Sequence, residues 1–266
     1  MKFFSRLLVL GLGSLSLASP VAEPAEVAEL APTLYLCGDS TMARGNGVID
    51  GWGQHISKYV NIPVVNKAIG GRSSRSFTNE GRFTEVANLV KAGDVVVIEF
   101  GHNDVGSPNG ADDNGRSVCG GSGTEVCTSG KTGEKVYTFV FYVIQAAKLF
   151  TAKGATVVLS SHTPNNLWIT GSFQTGYDRF IGFQVTARDA LADPAVTFVD
   201  HYEAVVKGYK KLGNSGTNAF YPQDHKHTDA AGADFSAKAF AQAIQIKLNG
   251  TTSLFPHLKS GNPTVW

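Results

Sequence analysis

An excess of charge of either sign is missing from this chain: 23 lysines and arginines stand against 22 aspartates and glutamates. Nucleic-acid binding needs a concentrated basic stripe, so that class of partner is excluded. Cysteine is scarce, three in 266 residues, and neither C-x-x-C nor H-E-x-x-H occurs. The common zinc frameworks are therefore absent, and neither a metal nor a cofactor is expected. Apolar runs of membrane-spanning length are lacking as well. The candidate nearest to one, Leu7 to Leu17, is interrupted by glycine and serine and is too short for the hydrocarbon core at about 1.5 Å per residue. There is no internal repeat and no G-x-S-x-G elbow of the common α/β-hydrolases. Ser129 to Thr132 has the ending of a phosphate loop, but Glu125 stands where that loop requires glycine.

What is present begins with Met1, Lys2 and Arg6 ahead of the Leu7 to Leu17 run, then Ser16-Leu17-Ala18 as a small-x-small cleavage pattern. Residues 1–18 read as a secretory signal. Residues 19–31, rich in Ala, Glu and Pro, read as a leader or pro-segment, and 32–266 as a single domain destined for the extracellular space. Cys119 and Cys127 lie in a loop of Gly, Ser, Asn and Asp and are expected to pair, which would stabilise that loop by roughly 2–3 kcal/mol through chain entropy. Cys37, ending an apolar run, is expected to be a buried free thiol. Asn249 begins the only N-x-[ST] sequon and is the expected glycan acceptor.

Between residues 33 and 200 five short apolar runs recur: "TLYLC", "IPVVNKAI", "DVVVIEF", "ATVVLSS" and "VTFVD". They are continuous rather than alternating, as strands covered on both faces are. Helical patterns occupy Trp52 to Val60, Arg82 to Lys91, Val136 to Lys153, Tyr177 to Ala192 and Ala230 to Leu248. The βαβ order predicts an α/β protein, a three-layer α/β/α domain with a doubly wound five-stranded parallel sheet. Gly101 to Lys135 is a long connection for such a domain and is expected to frame a site.

Ligands of such sheets bind at the carboxyl ends of the strands. There the sequence collects Gly38-Asp39-Ser40, then Gly70-Gly71, then Gly101-His102-Asn103-Asp104, and finally "DHKH" at Asp224 to His227. A hydroxyl, backbone donors, a side-chain amide and an Asp/His cluster are the parts acyl transfer requires. A turn returns residues three apart to each other, so His227 is assigned over His225 as the base for Ser40, with Asp224 holding its tautomer. Glycoside cleavage by paired carboxylates would leave Ser40 and Asn103 unused.

These blocks resemble the four consensus blocks of the SGNH or GDSL hydrolase superfamily. More narrowly, "GDSTMA", "GRSSRSF", "IEFGHND", "TPNN" and "DHKHT" look like the fungal rhamnogalacturonan acetylesterases, over about Thr33 to Leu248. The resemblance implies the flavodoxin-like SGNH hydrolase fold, and a secreted esterase that removes acetyl groups from pectic rhamnogalacturonan. It implies Ser40, Asp224 and His227 as the catalytic triad, and Ser40, Gly71 and Asn103 as oxyanion donors. Cys119 and Cys127 match a family disulfide. An acetylated polysaccharide is the implied partner and a monomer the expected state. Arg72 and Arg75 are candidates for pairing with uronate carboxylates, or are merely solvated; Trp168 is a candidate for stacking on a sugar, or packs its own loop. A GDSL-type lipase or esterase on other acyl esters, and a non-catalytic carbohydrate-binding protein, are the competing readings.

Overall fold

A computed structural model describes residues 31–174, 176 and 178–266. The expected signal segment and nearly all of the expected leader lie outside the described residues, as does Tyr177 at the expected start of a helix. The strands β1 (Leu34–Gly38), β2 (Val64–Asn66) and β3 (Val95–Glu99) are followed by a small hairpin, β4 (Val126–Thr128) and β5 (Lys135–Tyr137), then β6 (Thr156–Ser160) and β7 (Val196–Val199). Five of them form one sheet in the order β2-β1-β3-β6-β7, every pairing parallel. The β-branched runs expected to be strands are these five, since strands buried on both faces need no polar alternation.

Neighbouring residues on a strand serve opposite layers. Tyr35 and Cys37 point into a core shared with Phe77, Phe83, Phe139 and Phe180. Leu34 and Leu36 point into the other core, with Trp52, Val205, Tyr209 and Phe240. The first layer is built by α1 (Ser74–Asn79), α2 (Arg82–Ala87), α3 (Phe139–Thr151) and α4 (Arg179–Leu191), the second by α5 (His201–Asn218) and α6 (Ala230–Gln245). This is the α/β/α arrangement expected from the sequence.

Two local expectations change. The pattern at Trp52 to Val60 forms two short 3-10 turns, Trp52–Gln54 and Ile56–Lys58, rather than an α-helix. There the chain presses on its neighbour: a Cβ on Gly51 would lie 2.2 Å from the Ala43 carbonyl oxygen, and one on Gly53 2.6 Å from that of Met42. Helices not expected are also present: the short α1, and α5. The buried stripe of α5, His201, Ala204, Val205, Gly208 and Tyr209, has helical spacing. The glycines in its sequence dilute that signal, and Gly213, at φ 81° and ψ 178°, interrupts it.

The stretch from Gly101 to Lys135 is tied down by the hairpin, by the disulfide between Cys119 and Cys127, and by Arg75. Cys37 is buried and free, and burial pushes its thiol up.

Candidate active site

Strand β1 delivers its last residues into a tight turn. Gly38 has no room for a side chain, since a Cβ there would meet Met42 Sδ at 2.7 Å and the Glu99 carbonyl oxygen at 2.9 Å. Asp39 is buried; its Oδ1 accepts the N–H and the hydroxyl of Thr41, both at 2.9 Å, and its carbonyl accepts the Ala43 N–H at 2.9 Å. This closed turn lifts Ser40 to the rim of the sheet.

On the opposite side of the rim, the chain before α6 is held by the helix cap: Asp229 Oδ1 accepts the Gly232 N–H at 2.8 Å. Asp224 Oδ1 accepts the backbone N–H groups of Lys226 and His227, each at 2.7 Å, bending the segment back. The bend aligns three groups. Ser40 Oγ lies 2.8 Å from His227 Nε2, and His227 Nδ1 lies 2.7 Å from Asp224 Oδ2. Burial alone would raise the Asp224 carboxyl, but the hydrogen bonds from the His227 ring and from the two N–H groups outweigh it and bring it down to about 2. His225 is exposed and contributes its carbonyl, which accepts the Asn166 N–H at 2.7 Å.

Candidate donors follow the next two strands. Gly71 sits at φ +75°, a left-handed conformation suited to glycine, and a Cβ on the adjacent Gly70 would lie 3.7 Å from Ser40 Cβ. Among the described residues, neither the Ser40 nor the Gly71 N–H has a protein acceptor. Asn103 follows β3; its Nδ2 donates to the Arg72 carbonyl at 3.0 Å, which leaves one amide hydrogen. The next residue, Asp104, is buried and accepts both the N–H (2.8 Å) and the hydroxyl of Ser74 at the start of α1. That clasp fixes the Gly71 turn against Asn103. Burial pushes the Asp104 carboxyl up, against the Ser74 hydrogen bonds, to about 7.

A cavity of about 440 Å³ opens beside Lys226, bordered by His102, His162, Asp178 and Tyr202. His102 and His162 face each other with ring centroids 4.4 Å apart, and a Cβ on Gly101 would fall 2.0 Å from His162 Nδ1. Gly101 is thus required by a close approach.

The candidate substrate residues separate. Arg72 stays at the rim, its Nε paired with Glu80 at 3.0 Å. Arg75 does not: its side chain is 1% exposed, pairing through Nη2 with Asp113 at 2.8 Å and also with Glu134. The uronate role expected of Arg75 is corrected to a buried anchor, because its guanidinium is fully engaged and out of reach of a polymer. Trp168 donates Nε1–H to the Tyr209 carbonyl at 3.0 Å and packs 5.1 Å from Phe173. These contacts match the loop-packing alternative for Trp168, whose side chain is half-buried. Arg116, which no sequence motif marks, brings its Nη1 to 3.4 Å from the Gly71 carbonyl oxygen and 3.5 Å from Asn103 Oδ1. Among the described residues no cluster of His, Cys, Asp and Glu is arranged to hold a metal, and no helix is long and apolar enough to cross a membrane.

The family model for GDSL-like Lipase/Acylhydrolase matches residues 36–235. The chain is 47% identical over 217 residues to a rhamnogalacturonan acetylesterase of Emericella nidulans, covering 81% of this chain and 85% of that one. It is 25% identical over 225 residues to YesY, a probable rhamnogalacturonan acetylesterase of Bacillus subtilis, covering 81% and 94%. Among solved structures, Axe2, an acetylxylan esterase of Geobacillus stearothermophilus, shares the fold with a TM-score of 0.53 and 18% identity over 80% of this chain and 93% of that one.

Proposed function

This chain belongs to the GDSL-like Lipase/Acylhydrolase family of carboxylic ester hydrolases, and from that premise we propose that it is a secreted esterase removing acetyl groups from rhamnogalacturonan. The observation that carries the chemistry is the relay of 2.8 Å from Ser40 to His227 and 2.7 Å from His227 to Asp224. The 47% identity to the Emericella nidulans enzyme supports the substrate.

In this reading Ser40 Oγ attacks the acetyl carbonyl as His227 Nε2 takes its proton, while Asp224 keeps the Nδ1–H tautomer in place. The carbonyl oxygen becomes an oxyanion held by the N–H groups of Ser40 and Gly71 and by the second amide hydrogen of Asn103. The carbon–oxygen bond to the sugar breaks, and the sugar oxygen leaves with the proton from His227. Water then gives a proton to His227 and attacks the acetyl-enzyme; acetate departs and Ser40 recovers its hydrogen. A disulfide supports secretion, and Asn249, exposed with its Oδ1 accepting the Asp200 N–H at 2.7 Å, keeps its amide nitrogen available as the glycan acceptor. The enzyme acts as a monomer on its polymer.

The test is acetate release from acetylated rhamnogalacturonan, compared with acetylated xylan and acetylated homogalacturonan, by the wild type and by Ser40→Ala. We expect preference for the first polymer and loss of nearly all turnover in the variant. A preference for octanoyl over acetyl esters would favour a lipase instead. Undiminished turnover in Ser40→Ala would remove the serine mechanism.

A further inference from the structure

Three arginines lie near the Gly71 turn, and their surroundings differ. Arg72 is neutralised by Glu80, and Arg75 by Asp113 and Glu134. Arg116 has no carboxylate partner among the described residues. Its contacts are the Gly71 carbonyl at 3.4 Å and Asn103 Oδ1 at 3.5 Å. Both are neutral acceptors at the long limit of hydrogen bonding, so most of the five guanidinium N–H donors remain unused.

The position of Arg116 is built. Two residues from its neighbourhood clasp the buried Arg75: Asp113 with both carboxylate oxygens, at 3.0 and 2.8 Å, and Ser117 with its carbonyl, at 2.8 Å. Between those anchors, Gly115 N–H donates to Asp113 Oδ1 at 3.0 Å and Arg116 N–H to Asn114 Oδ1 at 2.9 Å. Cys119 then closes the disulfide. A backbone pinned this way restricts where the half-buried side chain reaches, and less rotamer entropy remains to be lost on binding. Its guanidinium borders a cavity of about 470 Å³ lined also by Gly71, Arg72, Ser76, Asn79 and Asn114, a size within the range of about 300–1,000 Å³ usual for ligand pockets. Glu80 touches the same cavity, but its charge is answered by Arg72 and Arg82. Among the described residues that line this cavity, the charge left without an opposite partner is that of Arg116.

We propose that Arg116 and this cavity form a subsite for the carboxylate of a galacturonate residue beside the scissile acetyl ester. The inference rests on the reading of the substrate given above and adds to it the group that recognises the polymer's charge. A planar guanidinium with free donors matches a carboxylate in two parallel hydrogen bonds, which a neutral sugar cannot offer. The subsite adjoins the Gly71 turn, so a uronate held there places its neighbouring ester over Ser40.

Acetylated rhamnogalacturonan and the same polymer with its carboxyls reduced to alcohols form the test pair, used with wild type, Arg116→Gln and Arg116→Lys. Arg116→Gln should lower the ratio of kcat/KM on the acidic over the reduced polymer by about tenfold, mainly through KM, and Arg116→Lys should restore part of it. Equal losses on both polymers would overturn the subsite and leave Arg116 as a support of Asn103. An unchanged ratio would overturn it too. If the wild type releases no acetate from rhamnogalacturonan, the substrate reading fails, and inhibition of p-nitrophenyl acetate hydrolysis by oligogalacturonate decides the subsite separately. Inhibition weakened about tenfold in Arg116→Gln upholds the carboxylate site; no inhibition of the wild type refutes it.

Discussion

His225 and His227 share one turn, and the direction in which that turn sends each ring separates their chemistry. Asp224 accepts two backbone N–H groups on Oδ1 and the His227 ring on Oδ2, so the carboxylate both shapes the turn and aims the imidazole. Held at about 2, it stays ionised through the mildly acidic and neutral range. His227→Ala should lower kcat by about 10⁴-fold or more, and His225→Ala by less than about tenfold; steady-state rates on p-nitrophenyl acetate compare them, and a reversed order would reassign the base. The role proposed for Asn103 is at the developing charge. With one amide hydrogen committed to the Arg72 carbonyl at 3.0 Å, the other is left for the proposed oxyanion. Asn103→Ala should therefore cut kcat by about a hundredfold or more with little change in KM. A loss confined to KM would make it a binding residue instead.

The element that most shapes the rim is the connection from Gly101 to Lys135, which has a two-strand hairpin and one disulfide but little core of its own. Arg75 on α1 supplies what is missing, by reaching across to Asp113, Glu134 and the Ser117 carbonyl. The hydrogen bonds from Arg75 lead the groups that lower the Asp113 carboxyl to about 2, with Ser129 and Gly115 assisting against burial. A lowered carboxyl stabilises the fold above its ordinary value of 3.8, and this contribution fades as pH falls toward 2. Arg75→Gln would strand a buried carboxylate and should cost about 3–5 kcal/mol, read by denaturant unfolding, with hydrogen exchange accelerating first in residues 101–135. A change below about 0.5 kcal/mol, as at an ordinary surface site, would refute the anchoring account. The same contact explains why the arginine's role was illegible. "GRSSRSF" shows two arginines beside a glycine turn, and nothing local tells which one turns inward.

At the scale of the molecule, the sheet gathers several buried ionisable groups beneath the rim, and their titration links folding to pH. Asp104, raised to about 7 against an ordinary 3.8, keeps its proton longer in the folded chain than in the unfolded one. Its stabilising contribution is full below about 4 and is lost as pH rises through about 7. The buried His102, held well below 6.5 by burial, acts in the opposite sense, so the wild-type profile is a sum. Asp104→Asn isolates one part of it: between about pH 4.5 and pH 7.5 the variant's Tm should fall by roughly 5 °C or more less than that of the wild type. Parallel profiles would mean that Asp104 does not titrate there. The sequence by itself determined the five strand runs, the parallel sheet, the candidate set Ser40, His227 and Asp224, and the pairing of Cys119 with Cys127. Each depends on a pattern written within a few residues: apolar runs, a turn chemistry, a spacing of three, a loop composition. The burial of Arg75, the packing of Trp168 on the Tyr209 carbonyl and the placement of Arg116 beside Gly71 were decided only by the tertiary structure. Asp113 meets Arg75 across 38 residues of chain, and a guanidinium's role depends on whether such a distant carboxylate arrives to neutralise it.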